Sequence, residues 1–286
     1  MKLRSAEWLL TAYFAYVAAI SFAFPLPARF APLIIAVLVP ALFAALGRGR
    51  HVGFDMARDW VAVGMVLVAY REMDLFSAIP RDFPLELRWV GWDRTLLHHW
   101  GLQRGIEALG ALVPLYLEAC YALVYAVAPF VVAILYIERR RQRVNGVVFL
   151  YLLGTLLAYG MFPYFPSDPP RVVFGATDMP NITTPVRQLN LWLVGSYGIH
   201  SSVFPSAHVS SAFSAAWAFL AYLPERRRIG WGMLVYAVSV AIATVYGRYH
   251  YAADAVAGLA VSLAPVLMIL ARRPLRLLRG GLPASP

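Results

Sequence analysis

The chain has 286 residues, 60% hydrophobic and only 14% charged, with 25 Lys+Arg against 15 Asp+Glu for a net charge of +10. Soluble domains carry about 25% charged residues, so an ordinary soluble fold is excluded. The positive charge sits mostly in short arginine clusters between apolar runs, which signals membrane topology and not a nucleic-acid partner.

Apolar runs long enough to cross a bilayer recur, and none shows the alternation of a barrel strand. The expected fold class is an all-α integral membrane protein with about eight transmembrane helices. Lys2 and Arg4 precede the first run without a clear small-residue cleavage site after it, so an uncleaved first helix is expected. That span covers about 8–24 and is ended by Pro25 and Pro27. The second covers about 31–46 and stops at Gly47-Arg48-Gly49-Arg50. The third covers about 59–76, with Arg71, Glu72 and Asp74 at its far end, at the interface or against protein.

Residues 80–110 differ in character. Leu87, Trp89, Val90 and Trp92 mix with Arg88, Asp93, Arg94, His98 and His99, which suits a segment lying at the membrane surface. Adjacent histidines on a helix point about 100° apart, so His98 and His99 read as surface residues and not as a metal site. The fourth span, about 113–137, encloses Glu118 and the single cysteine, Cys120, from which one chain can build neither a disulfide nor a thiolate metal site. Glu138 to Arg143 follow as a charged run, then a fifth span at about 144–162. An outer loop is expected over 163–203, and a loop of that length in a compact protein is more often functional than filler. The Asn181-Ile182-Thr183 sequon in it matters only in a eukaryotic secretory protein. The sixth, seventh and eighth spans cover about 206–223, 229–246 and 251–271, separated or followed by further arginine clusters.

Counting Lys and Arg on alternate sides puts every dense cluster on one side, which is therefore cytoplasmic together with both termini. Arg171, the Pro205–His208 turn and the Arg248–Asp254 turn then fall together on the outer face.

Those three turns carry the chemistry. Ser206 stands at a helix N-cap with His208 two residues later, where free N–H groups and the helix dipole favour an anion. His250 and Asp254 are four apart at a helix start and share a face. A carboxylate on one imidazole nitrogen fixes the tautomer and makes the other nitrogen the better nucleophile. His208 can protonate a leaving oxygen. Arg171 and Arg248 are planar donors suited to phosphate. The set suits phosphoryl transfer with arginines and N–H groups in place of a metal ion, so no metal and no cofactor is expected. The alternative is structural: Asp254 could merely pair with Arg248 or cap its helix, although ionisable groups inside membrane helices are functional by default.

Phe204–His208 and His250–Asp254, with Gly258 following, resemble the second and third motifs of the type 2 phosphatidic acid phosphatase superfamily. Pro170-Arg171 resembles the end of the first motif. The superfamily includes lipid phosphate phosphatases, glucose-6-phosphatase and the vanadium-dependent haloperoxidases, the last not polytopic. The resemblance covers about 59–275 and implies a six-helix catalytic domain within 59–286, with two N-terminal helices (1–58) outside it. It implies His250 as nucleophile, Asp254 as its support, His208 as general acid, and Ser206 and Arg171 as phosphate holders. Tyr164 stands where the first motif has a Lys, and Thr244 where the third has an Arg; Arg248 is the nearby candidate substitute. These departures, with the form His-Tyr-x-x-Asp, resemble most the inositol-phosphorylceramide synthase branch.

The resulting expectation is a multi-pass plasma-membrane enzyme with an extracytoplasmic site, acting on a lipid phosphate or phospholipid. It would move a phosphoryl or phospho-head group through a phosphohistidine to an alcohol, as an inositolphosphotransferase does. A phosphatase acting on lipid phosphate or polyprenyl pyrophosphate, with water as acceptor, shares the first half-reaction. A lipid or solute transporter is a more distant alternative, disfavoured because the polar groups gather at one face instead of the midplane.

Overall fold

The computed structural model describes residues 2–28, 30–49, 51–80, 83–173 and 178–279; Arg29, Arg50 and Arg81 of the charge count and residues 280–286 lie outside them. Among the described residues every regular element is helical. In order these are α1 (Ser5–Ile20), α2 (Phe30–Leu46), α3 (Val52–Glu72), α4 (Phe83–Arg94), α5 (Leu102–Ala108), α6 (Leu112–Ala122) and α7 (Val127–Ile137). There follow α8 (Val144–Met161), α9 (Pro170–Val173), α10 (Pro185–Tyr197), α11 (Ala207–Tyr222), α12 (Arg227–Tyr246), α13 (Ala252–Val261) and α14 (Leu263–Arg279). Among the described residues four helical stretches are long and apolar enough to cross a membrane: Leu112–Ile137, Arg141–Tyr164, Pro224–Tyr246 and Ala252–Ala271. Helices α1 and α2 are apolar but shorter.

Helix α11 forms the middle of the bundle, packed on α8, α12 and α13. Its sequence explains why. Ser210, Ser211, Ala212, Ser214, Ala215, Ala216 and Ala218 are all buried, and small side chains let helix backbones approach closely. Ser210 Oγ donates to the Gly154 carbonyl of α8 at 2.8 Å. A Cβ on Gly258 of α13 would fall 2.4 Å from the Ser206 carbonyl, so glycine is required where α13 crosses the start of α11.

Two elements differ from the sequence expectation. Helix α3 begins at Val52, seven residues before the expected third span. Its early charges are neutralised by α1: Arg58 donates to Glu7 at 2.6 Å and Arg4 to Asp59 at 2.7 Å. The expected outer loop 163–203 contains α10. Thr184 caps that helix by accepting from Arg187 N, Pro185 opens it, and Val194 packs onto Leu117 and Tyr121 of α6. The cap-plus-proline start is a helix signal that the loop's polar composition obscured.

The two ends of the bundle are chemically distinct. At one, Arg143 donates to the Tyr222 carbonyl and to Glu225, and Arg226 pairs with Glu138. At the other, the loops after α8, before α11 and after α12 meet.

Candidate active site

Each of those loops is held by backbone bonds to its neighbour. Arg171 N donates to the Arg248 carbonyl at 3.1 Å, and Ser206 N to the Asp254 carbonyl at 3.0 Å. The Thr244 carbonyl accepts from both Tyr249 N and His250 N at 3.0 Å. The residue standing where an arginine was expected thus fixes the His250 backbone through its main chain.

His250 Nδ1 lies 3.2 Å from Asp254 Oδ2. The same oxygen accepts from Tyr251 N at 3.0 Å, so Asp254 both caps α13 and faces the imidazole. The two readings of that residue are not exclusive. With Nδ1 turned to the carboxylate, Nε2 is the ring's other nitrogen. The His208 ring stands across from it, centroid to centroid 5.4 Å at 60°. His208 is itself wedged between Tyr121, stacked at 5.2 Å, and Tyr125, edge-on at 5.6 Å. Burial, with the Arg171 charge second, pushes the His250 imidazole down to about 3 against a smaller upward pull from the Val203 carbonyl. A neutral ring at neutral pH is the form a nucleophile needs.

Both histidines and Arg171 line one small chamber of about 40 Å³, with Tyr121, Tyr249 and the start of α11 at Ala207. The chamber borders a cleft of about 620 Å³ that reaches along α3, α7 and α8. Tyr70, Tyr125, Tyr159, Ala207 and His208 belong to both. The cleft is walled mainly by apolar side chains such as Val63, Val66, Leu67 and Leu193.

Two of the six predicted residues lie elsewhere. The Ser206 hydroxyl is buried and accepts from Val209 N at 3.4 Å, so it closes its own helix. Arg248 is turned from the chamber, its Nη1 donating to Asp93 Oδ2 at 2.8 Å with both side chains almost fully buried. Burial pushes the Arg248 guanidinium down and the Asp93 carboxyl up, and each opposes the shift of the other. Asp93 therefore occupies the guanidinium that the sequence assigned to phosphate. Tyr164, at the expected lysine position, is half exposed and bonds to Tyr16.

The structure adds a buried group that sequence reasoning left unexplained. Glu118 accepts from Arg187 Nη1 at 2.7 Å, Asn190 Nδ2 at 2.7 Å and Tyr249 Oη at 2.6 Å. Tyr249 stacks on Tyr121 at 3.7 Å, and Tyr121 on His208. The signal was present: a lone carboxylate in an apolar run requires a partner. Among the described residues no group of three or more His, Cys, Asp or Glu is arranged to hold a metal ion.

A family model for the PAP2 superfamily matches residues 90–268, well over half of the chain. The chain belongs to the PAP2 superfamily. The match contains Arg171, His208, His250 and Asp254. A PA-phosphatase related-family protein of Dictyostelium discoideum is 29% identical over 131 residues, covering 43% of this chain. The aligned part is 22% of that protein's length. No solved structure matches the chain. PAP2 membership and, among the described residues, four apolar helical stretches long enough to cross a bilayer fit a membrane protein.

Proposed function

We propose that the protein transfers a phosphoryl or phospho-head group from a lipid through His250 to an alcohol acceptor, without a metal ion. The observation that carries this is the small chamber of two facing histidines and Arg171, which shares its wall with an apolar cleft. A small anionic head and a long apolar body fit that shape. His250 Nε2 attacks phosphorus as the P–O bond to the leaving group breaks, and His208 gives its proton to the departing oxygen. The acceptor hydroxyl then attacks, His208 takes its proton, and the P–N bond breaks. Asp254 holds the imidazole in the tautomer with Nδ1 protonated and balances the positive charge that develops. Arg171 and the first N–H groups of α11 meet the transferring oxygens. With a phosphoinositol head group as the moved group and a ceramide hydroxyl as acceptor this is the inositol-phosphorylceramide synthase reaction; with water as acceptor it is a phosphatase.

A panel of lipid phosphates, with and without alcohol acceptors, tests it. New phospholipid supports the transferase, free phosphate alone the hydrolase, and neither product overturns both. Activity is expected to survive EDTA and to fall with vanadate, which mimics the five-coordinate phosphorus; loss in EDTA restored by Mg²⁺ would contradict metal independence.

We further propose eight spans: α1, α2, α3, α6 with α7, α8, α11, α12, and α13 with α14. Residues 59–286 would form the catalytic domain, 1–58 an addition, and the histidine end would face outward from the plasma membrane. The gathering of arginines at the opposite end supports this orientation. Cysteines at Arg141 and Asn181 in a Cys120→Ser background should label from opposite sides. Labelling of position 181 only after permeabilisation would reverse the orientation.

A further inference from the structure

Helix α4 touches all three loops of the site with one face. Glu86 accepts from Asp168 N at 2.5 Å, in the loop that leads to Arg171. Trp89 stacks on Phe204 at 5.0 Å, just before the α11 cap, and packs on Tyr251 at 5.5 Å. Asp93 holds the third loop twice. Its Oδ2 accepts from Arg248 Nη1 at 2.8 Å and its Oδ1 from Ala252 N at 2.9 Å. Residues 86, 89 and 93 are spaced three and four apart, which places them on one helical face.

The position of the two Asp93 bonds matters more than their number. Arg248 is two residues before His250 and Ala252 two after it, so one carboxylate grips the chain on both sides of that histidine. Arg248 also has a φ of 64°, a left-handed conformation that residues other than glycine avoid. Such a conformation persists only where surrounding contacts over-determine it. The Asp93–Arg248 pair is one such contact, beside the Arg171 N bond to the Arg248 carbonyl. Asp93 itself does not line the chamber.

We infer that Asp93 is a positioning residue: it sets the backbone of the turn that aims His250 into the chamber, and α4 joins the three loops into one unit. The inference rests on the proposed role of His250. Arg248, read from the sequence as a phosphate ligand, becomes under it the handle by which α4 grips the turn.

The test uses the full chain in lipid nanodiscs with ¹⁵N-labelled histidine, the His250 resonances assigned by their loss in His250→Gln. Wild type should show one tautomer for His250, Nδ1 protonated and Nε2 bare. Asp93→Asn leaves an acceptor for Ala252 N but removes the charge facing Arg248. Its His250 signals should shift or broaden toward mixed tautomers. Its kcat on a lipid phosphate should fall by about 10–100-fold, as misplacement of a reacting group by about 1 Å can cause. The KM should change much less than kcat, because the bonds of Asp93 go to Arg248 and Ala252 and not to the Arg171 side chain or the cleft. Should that variant fold poorly, Asp93→Leu with Arg248→Met removes both buried charges together, a change cores often tolerate. It loses both grips and should show the same shift. His250 signals identical to wild type in a folded variant, with kcat unchanged, would overturn the inference. So would a fall in kcat no larger than the loss of folded fraction, with the His250 signals of the folded protein unchanged. The spectra need no substrate. A wild type inert toward every lipid phosphate would therefore count against the proposed function, while the His250 signals still decide the role of Asp93.

Discussion

The two ends of the bundle use the same residue types under opposite conditions. At the arginine end, Arg226–Glu138 and Arg140–Glu225 keep side-chain exposures of 61%/23% and 40%/33%. At the histidine end, Arg187–Glu118 and Arg248–Asp93 are exposed by 3%/2% and 1%/0%. Exposed pairs gain little because water screens them and long side chains must be ordered. Buried pairs have already lost their hydration, so removing one member strands the other. These arginine-end pairs thus contribute little by pairing, whereas neither buried pair at the histidine end can lose one member without stranding the other. Arg58–Glu7 shows the division is by burial and not by end alone, being nearly buried at the arginine end where α1 meets α3.

The widest separation should come from Asp254→Asn. The fold should persist, because an amide oxygen can still accept from Tyr251 N. The rate should fall by about 10⁴-fold through the wrong imidazole tautomer, read as kcat on a lipid phosphate against an unchanged melting profile. Next is Glu118→Ala, which leaves Arg187 buried and Tyr249 without its acceptor. Unfolding should become easier by about 3–5 kcal/mol, measured by thermal or denaturant unfolding in detergent. The pH response sharpens the contrast further. The His250 imidazole is held down to about 3, while in the unfolded chain it titrates near the ordinary 6.5. Between those values the unfolded state binds the extra proton. Stability contributed by this group is therefore complete above about pH 6.5 and lost as the pH falls, by up to about 1.4 kcal/mol per unit. The His250 signals should accordingly remain those of a neutral ring at pH 5.

Smaller effects separate the cleft from the chamber. Gly64 lines the cleft, and a Cβ there would meet nothing within 4 Å. Gly64→Trp should raise the KM for a long-chain lipid phosphate by about tenfold, a typical cost of occluding an apolar pocket. Turnover of a short soluble ester should be unchanged. At the bottom of the scale, Arg226→Ala should change stability by less than about 1 kcal/mol, as exposed pairs do.

Much of this was legible from sequence for stated reasons. Apolar run length locates the helices, and the His250–Asp254 spacing brings carboxylate and imidazole together, because both are properties of a single segment. Ser206 is legible as a cap for the same reason. The partners of Arg248 and Glu118 were not legible. Asp93 is 155 residues from Arg248 and Glu118 is 69 from Arg187 in sequence, and no local period links them. The sequence offers Arg248 as a phosphate ligand because it is a planar donor near the position, Thr244, where the third motif has an arginine. Its left-handed backbone and its turn toward α4 are tertiary facts. The helix at Pro185–Tyr197 had its cap and proline on view, yet polarity made that stretch look like loop.

The central claim is that His250 and His208 face one chamber in different roles. Trapping the labelled phosphoprotein at short times, from a lipid phosphate and from p-nitrophenyl phosphate, tests it most directly. Wild type should carry acid-labile label, and His250→Ala none. His208→Ala should be impaired by about 10²–10⁴-fold with the lipid, and much less with the activated ester, whose leaving group needs no proton. Label retained in His250→Ala but absent from His208→Ala would reverse the two roles, and its absence from wild type with every active substrate would contradict the covalent route.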